Sequence, residues 1–125
     1  GAQWYRRPAH LADDSVGTQE VAAEFLRWQT SEGEKWVWAC CIYPCAPLVT
    51  ADDLRTAYLL AYEIPYNYVY AVGQFYFGIA RRFMDSPDDF SYSYRMESDR
   101  YIDLNTEDDF SRAEKMYARL HAEAA

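Results

Sequence analysis

The stretch Arg100–Leu120, RYIDLNTEDDFSRAEKMYARL, decides how the rest of the chain is interpreted. Its first apolar pair, Tyr101–Ile102, predicts a short strand. Thr106 is a good helix N-cap, and the three carboxylates after it suit the positive end of a helix. A helical repeat of apolar positions predicts that one face of this helix packs, namely Phe110, Ala113, Tyr117 and Leu120. The pattern places Asp103 and Asn105 at the carboxyl end of a strand, where open α/β sheets bind ligands.

The side chains of Asp103 and Asn105 offer oxygen atoms, which a hydrated divalent cation prefers as ligands. Asp and Asn at a strand-to-helix junction also form hydrogen bonds with their own backbone in ordinary turns. From these two residues alone, a cation site and a plain turn both stay open.

The composition predicts one folded domain over residues 1–125. The chain is 50% hydrophobic and 18% aromatic, which allows a modest core and argues against disorder. Its net charge of −8 argues against nucleic acid or an anionic membrane as a partner, because phosphate binding needs clustered Lys and Arg. There is no apolar run of the roughly 18 residues that a membrane span needs, and no recognisable signal peptide. We therefore expect a cytoplasmic protein without a membrane partner.

The cysteines and histidines do not form a recognisable catalytic or zinc motif. The three cysteines lie close together without the spacing of zinc ligands, at Cys40, Cys41 and Cys45. The two histidines, His10 and His121, are too far apart in sequence to make a Cys-His or Ser-His-Asp set credible. We expect these thiols to be buried and reduced.

Two further helices are predicted upstream. Thr18 is a candidate N-cap for a helix over Gln19–Gln29, and Thr50 is a candidate N-cap for a second helix that Pro65 ends. Both segments carry apolar residues at helical spacing, so each helix is expected to bury one face.

Two strands are predicted between and after these helices. Trp36–Tyr43 is a continuous apolar run, which is typical of a central strand in a parallel sheet. Tyr66–Val72 alternates in the manner of a strand, Gly73 interrupts it, and Gln74–Phe77 continues the extended pattern. The element order indicates an α/β fold whose crossover helices impose parallel pairing.

Four motifs occur in order along the chain. They are RRPxxLADDxxGT (Arg6–Thr18), CCIYPxAP (Cys40–Pro47), GQFYFG (Gly73–Gly78) and IDLNTxxDF (Ile102–Phe110). Together they resemble the acylneuraminate cytidylyltransferases, and most closely the CMP-pseudaminic acid synthetases. The resemblance implies a Rossmann-like nucleotide-diphospho-sugar transferase fold, present in part, with a mostly parallel sheet and flanking helices.

The resemblance also implies a reaction and a set of site residues. Such enzymes transfer CMP from CTP to a nine-carbon α-keto acid sugar, pseudaminic or sialic acid, and release pyrophosphate with the help of Mg²⁺. Asp103 matches the catalytic, metal-binding carboxylate, and Asn105 stands where some members have a second aspartate. The remaining matches are Asp14, Gly17 and Thr18 on the nucleotide side, and Tyr43, Pro44, Gln74 and Tyr76 on the sugar side.

The resemblance covers about half of a family member. The basic, glycine-rich loop that holds the CTP triphosphate is not found before Gly1, and the long dimer-forming excursion is not found between Val72 and Gly73. Three explanations stay open: a natural short gene, a fragment, or a longer enzyme of which this sequence omits segments. We therefore expect little or no catalysis by this partial chain. The alternative is a non-catalytic, shortened scaffold that self-associates into a homo-oligomer.

Overall fold

The computed structural model describes residues 1–64, 68–85 and 91–124. Pro65 and Tyr66, which were assigned to a helix stop and a strand start, lie outside the described residues. The described elements are α1 (Thr18–Ser31), β1 (Trp38–Ile42), α2 (Ala51–Glu63), β2 (Val69–Ala71), β3 (Phe75–Ile79), α3 (Ala80–Asp85), β4 (Tyr92–Ser93) and α4 (Glu107–Glu123). None of the helices in the described ranges combines the length and apolar character that crossing a membrane requires.

The strands form a four-stranded sheet in the order β1-β3-β2-β4. β2 pairs antiparallel with β3, with Tyr70 opposite Tyr76, and parallel with β4, with Tyr70 opposite Ser93. The α/β class is confirmed, whereas the mostly parallel sheet is not, since the sheet is mixed. The physical reason is the short connection between β2 and β3, because only antiparallel neighbours can be joined by a tight turn.

Gly73 makes this turn possible. The amide of Gln74 donates to the carbonyl of Ala71 at 2.9 Å, which closes a four-residue turn. Gly73 has a φ of +69°, a value that residues with a side chain rarely adopt. The extended segment after Gly73 is confirmed as β3, but the chain reverses at Gly73 instead of continuing in one direction.

β1 lies at the edge of the sheet, so the prediction that this apolar run is a central strand is wrong. Cys40 and Ile42 are exposed, while Cys41 between them is half-buried. The side chains of an edge strand alternate between the two faces, and here one face is open to solvent. All three cysteines are free, but the prediction that they are buried is wrong, since Cys40 is exposed and Cys41 and Cys45 are only partly buried.

α2 and α4 both begin with a capping box, in which a threonine side chain and a downstream carboxylate satisfy each other's backbone amides. Thr50 Oγ1 accepts from the amide of Asp53 at 3.2 Å, and Thr106 Oγ1 accepts from the amide of Asp109 at 3.2 Å. Both predicted N-caps are thereby confirmed. α1 instead includes Thr18 as its first residue, because Gly17 holds the N-cap position and makes no side-chain capping bond.

The packed face of α4 is narrower than its sequence predicts. Ala113 is buried with Leu48 and Ile102, and Leu104, Met116 and Leu120 pack around this cluster. Phe110 and Tyr117 are 54% and 53% exposed. They lie roughly 80° around the helix axis from the packed stripe, at 100° per residue, so they miss the cluster.

Contacts between Cα atoms divide the chain into two compact units, Gly1–Ala39 with Ile79–Pro87 and Cys40–Gly78 with Asp88–Ala125. In the first unit, α1 packs against α3, and Arg27 Nη2 donates to the carbonyl of Met84 at 2.7 Å. In the second unit, α2 packs against β2. The side chains that fill this second unit are almost completely buried, namely Ala57, Tyr68, Val69 and Phe75.

Candidate functional site

Asp103 lies in a loop of the second unit, not at the tip of a strand. The prediction of a strand at Tyr101–Ile102 is wrong, because these residues are not part of the sheet. The carbonyl of Ile102 accepts a hydrogen bond from Gln74 Nε2 at 2.9 Å, and the amide of Leu104 donates to the carbonyl of Cys45 at 3.0 Å. These two hydrogen bonds lie on either side of Asp103. They hold the loop in position, as the hydrogen bonds between paired strands would in a sheet.

Gln74 is the side chain that connects the β2–β3 turn to this loop. It is completely buried, and its Nε2 donates to the carbonyls of Gly73, at 3.2 Å, and Ile102, at 2.9 Å. Its Oε1 is buried without a hydrogen-bond partner among the described residues. Gln74 is therefore buried beneath the Asp103 loop, to which it is bonded through Ile102, and does not lie on an open surface.

The Asp103 carboxylate lies beside Gly73 and Cys45. Its Oδ2 is 3.5 Å from the position that a Cβ on Gly73 would take. The hydrogen bond between Cys45 and the Asp103 carboxylate, together with burial, raises the pKa of the Cys45 thiol. Asp103 Oδ1 is buried and has no hydrogen-bond partner among the described residues. A buried acceptor without a donor costs free energy, and a bound cation or donor would remove that cost.

The unpartnered oxygen makes Asp103 a suitable protein ligand for the Mg²⁺ that the resemblance implies. Asn105 is exposed, and its Nδ2 donates to the carbonyl of Asp103 at 3.4 Å, which is a local turn contact. Within residues 1–64, 68–85 and 91–124, no group of three His, Cys, Asp or Glu side chains could hold a metal ion. Mg²⁺ in proteins is commonly held by one or two carboxylates plus substrate phosphates, and a single carboxylate such as that of Asp103 fits a site of that kind.

Tyr43 and Tyr76 belong to an aromatic group next to the β2–β3 turn. The amide of Tyr43 donates to the carbonyl of Gln74 at 3.0 Å, and its ring centroid is 6.2 Å from that of Tyr76. Tyr76 in turn stacks on Tyr70 at 5.4 Å. Pro44 follows Tyr43 and is exposed. Tyr43, Tyr76 and Pro44 therefore lie on elements that adjoin Gln74.

The three residues matched to the nucleotide side belong to the first unit. Asp14 is exposed, and it is the neighbouring Asp13 whose Oδ1 accepts from the amide of Ser15 at 2.8 Å. Gly17 has a φ of −73°, and nothing lies within 4 Å of the position of an added Cβ. Neither its backbone nor its surroundings require glycine. Thr18 is half-buried in the first turn of α1.

A buried ion pair next to the Asp103 loop was missed by the sequence analysis. Arg100 Nη1 donates to Asp53 Oδ2 at 2.6 Å, and Arg100 Nη2 donates to Asp53 Oδ1 at 2.9 Å. The hydroxyl of Tyr94 donates to Asp53 Oδ1 at 3.0 Å. Asp53 is only 2% exposed, so this bidentate pair is one of the strong kind. The pairing spans 47 residues, and the only local signal, the capping box, accounts for Asp53 by itself.

The ion pair keeps Asp53 ionised. Burial alone would raise the pKa of Asp53, but the hydrogen bonds from Arg100, Thr50 and Tyr94 outweigh it and lower that pKa to about 2. Burial and the bond to Asp53 raise the pKa of Tyr94. A carboxylate that is charged and fully bonded at neutral pH is poorly suited to proton transfer. The Asp53 carboxylate instead holds Arg100, which precedes the Asp103 loop, against the N-terminus of α2.

No model of a known protein family matches the sequence, and no curated protein matches it significantly.

Proposed function

We propose that this chain is a nucleotidyltransferase-type domain related to the enzymes that transfer CMP from CTP to a nine-carbon α-keto acid sugar such as pseudaminic or sialic acid. The observation that supports it best is the buried, unpartnered Oδ1 of Asp103, within the motif IDLNT and beside Gly73 and Cys45. The proposal includes a cytoplasmic location, Mg²⁺ as the cofactor, and CTP and the sugar acid as ligands.

The proposed roles follow from the surroundings of each side chain. Mg²⁺, when bound, would neutralise phosphate charge and align the attacking sugar hydroxyl. Asp103 would hold the cation, and Gln74 would keep the loop of Asp103 in place through its bond to Ile102. Tyr43 and Tyr76 would contact the sugar from the neighbouring aromatic group. The resemblance assigns Asp14, Gly17 and Thr18 of the first unit to nucleotide binding, and this assignment is part of the proposal.

We expect the 125 residues alone to turn over little or no CTP. Stabilising the charge of a transferring phosphoryl group is usually the largest part of such catalysis. The chain carries 12 basic against 20 acidic residues, so its overall field repels a triphosphate. Binding of CTP should therefore depend strictly on Mg²⁺.

Isothermal titration of Mg²⁺–CTP into the protein tests the proposal. We expect saturable binding that disappears without Mg²⁺ and that weakens at least about tenfold in Asp103→Asn, equivalent to about 1.4 kcal/mol. Glu114→Gln is the matched control, because Glu114 is an exposed carboxylate on α4 and its loss should leave the affinity unchanged. The absence of Mg²⁺-dependent binding by the parent protein, or equal binding by Asp103→Asn, would overturn the proposal.

A pyrophosphate-release assay with CTP, Mg²⁺ and pseudaminic or sialic acid separates binding from turnover. We expect Mg²⁺-dependent binding of CTP without appreciable release of pyrophosphate. Robust turnover would contradict the expected inactivity of the 125 residues while supporting the proposed reaction class.

The second candidate function is that of a non-catalytic scaffold that self-associates. It is favoured by the edge position of β1 and by exposed apolar side chains in the second unit, including Ile42, Leu59 and Tyr62. Open strand edges and apolar patches both invite a second copy. Light scattering during size-exclusion chromatography tests it, and a monomer that persists at high protein concentration would rule it out.

A further inference from the structure

An open groove of about 510 Å³ lies in the second unit where β2 and β4 end. Its walls are formed by Val72, Ser93, Arg95, Met96, Ser98 and Tyr101, together with Tyr94. The volume falls within the roughly 300–1,000 Å³ that small-molecule sites occupy. We call it the strand-end groove.

The topology explains why a groove forms here. β2 and β4 are parallel neighbours, so both strands end at the same edge of the sheet. The amide of Tyr94 still donates to the carbonyl of Tyr70 at 2.6 Å, but the carbonyl of Val72 accepts from the hydroxyl of Tyr101 at 3.0 Å. The backbone ladder between β2 and β4 thus stops just past the strands, and the hydroxyl of Tyr101 takes the place of a backbone donor at Val72. The carboxyl ends of parallel strands are where open α/β sheets bind ligands.

The groove offers one positive charge among apolar and hydroxyl groups. Arg95 is exposed and makes no ion pair with any residue in the described ranges. The acidic side chains nearest to Arg95 in sequence either lie close to another basic residue or do not line the groove. Glu97 approaches Arg100, with 3.9 Å between its Oε2 and Arg100 Nε, and Asp99 is not among the lining residues.

We propose that the strand-end groove binds a small organic anion that has an apolar or aromatic body. Arg95 would pair with its carboxylate or phosphate, as guanidinium groups do. Ser93 and Ser98 would add hydroxyl contacts, and Met96 and Tyr101 would contact the body of the ligand. This inference does not rest on the proposed cytidylyltransferase function, because neither CTP nor Mg²⁺ takes part in it.

Titration of ¹⁵N-labelled protein with 2-naphthoate, 2-naphthyl phosphate and the neutral 2-naphthylmethanol tests the inference. We expect saturable amide shifts at Ser93, Met96 and Tyr101 with one or both anions, with a dissociation constant on the order of 1 mM or tighter. The two anions separate a carboxylate ligand from a phosphate ligand. Absence of saturable shifts with both anions, or equally strong binding of the alcohol, would overturn the inference.

Two variants complete the test. Arg95→Gln should weaken binding of the anion at least about tenfold, or about 1.4 kcal/mol. Arg119→Gln removes the same charge from an exposed position on α4 and should leave the affinity unchanged. Equal losses in the two variants would mean that only net charge matters, and would contradict a site at Arg95. Because both side chains are exposed, the spectra of the variants should show an intact fold.

Discussion

Gly73 is the residue at which the β2–β3 turn meets the Asp103 carboxylate. An added Cβ would lie 3.5 Å from Asp103 Oδ2 and 3.7 Å from its Cγ, which is ordinary van der Waals contact. Space is therefore not what requires glycine. Glycine is required by the backbone conformation, because a φ of +69° lies in the left-handed region, where L-residues are strained.

Replacing Gly73 by serine should lower the free energy of unfolding by about 1–2 kcal/mol, because the side chain must adopt the left-handed conformation. Gly17→Ser is the matched control: Gly17 has a φ of −73°, its surroundings are open, and serine is a good N-cap. Urea unfolding followed by circular dichroism measures both. If Gly73→Ser were as stable as Gly17→Ser, backbone strain would not be the reason for glycine in the turn.

Asp53 should make the stability depend on pH in the acid range. Its pKa of about 2 lies below the ordinary 3.8, so the charged form is favoured by folding. Its stabilising effect is fully present above about pH 4 and is lost as the pH falls towards 2, on the order of 1–2 kcal/mol. A ¹³C carboxyl titration should give a midpoint near 2 for Asp53, and Asp53→Asn should lose this part of the acid sensitivity. A midpoint near 3.8 would contradict the assigned ion pair.

At the scale of elements, the same Thr-x-x-Asp pattern begins α2 and α4 in two different settings. Both threonines are exposed, and at α4 the carboxylate of Asp109 is partly exposed as well. At α2, the hydroxyl of Thr50 donates at 2.9 Å to the buried carboxylate of Asp53, which also accepts from Arg100. The cap of α2 is thus part of a buried hydrogen-bond network. The cap of α4 involves only residues close to it in sequence.

Removing the two caps should therefore have unequal costs. Thr106→Ala should lower the free energy of unfolding by about 1 kcal/mol, the ordinary value of an N-cap. Thr50→Ala should cost more, because it also leaves a buried carboxylate without one of its donors. Thermal and urea unfolding of the two variants compare them directly. A Thr50→Ala variant no less stable than Thr106→Ala would show that the buried network does not depend on the cap.

Local signals predicted α1, α2 and α4 but not the short α3, and non-local contacts account for the other features that were missed. Capping patterns identified Thr50 and Thr106, since a cap is formed within four residues. The segment before Asp103 looked like a strand, but Gln74, 28 residues away, binds the carbonyl of Ile102 with a side-chain amide. The ion pair between Asp53 and Arg100 joins residues 47 positions apart, so neither residue spacing nor periodicity predicts it.

At the scale of the whole molecule, the α/β class followed from the alternation of helices and strands, whereas strand order and direction did not. An apolar run such as Trp36–Tyr43 does not by itself distinguish a central strand from an edge strand, and β1 lies at the edge. The candidate site was likewise predicted only in part. Ordered motifs pointed to Asp103, but only packing shows that its Oδ1 is buried without a partner and that Gln74 lies beneath its loop.

The net charge of −8 sets the condition under which the proposed site can act. An acidic protein repels a nucleoside triphosphate unless a cation neutralises part of the phosphate charge. Asp103 is the carboxylate that would bring that cation to the second unit. We therefore propose that a divalent cation and a nucleotide bind together at Asp103.

Paramagnetic broadening by Mn²⁺ tests whether the cation binds at Asp103. In spectra of ¹⁵N-labelled protein with CTP, substoichiometric Mn²⁺ should selectively broaden the amides of Gly73, Asp103 and Leu104, and CTP should strengthen the effect. The broadening should disappear in Asp103→Asn and persist in Glu114→Gln. Broadening spread over the acidic surface, or unchanged in Asp103→Asn, would contradict a cation site at Asp103.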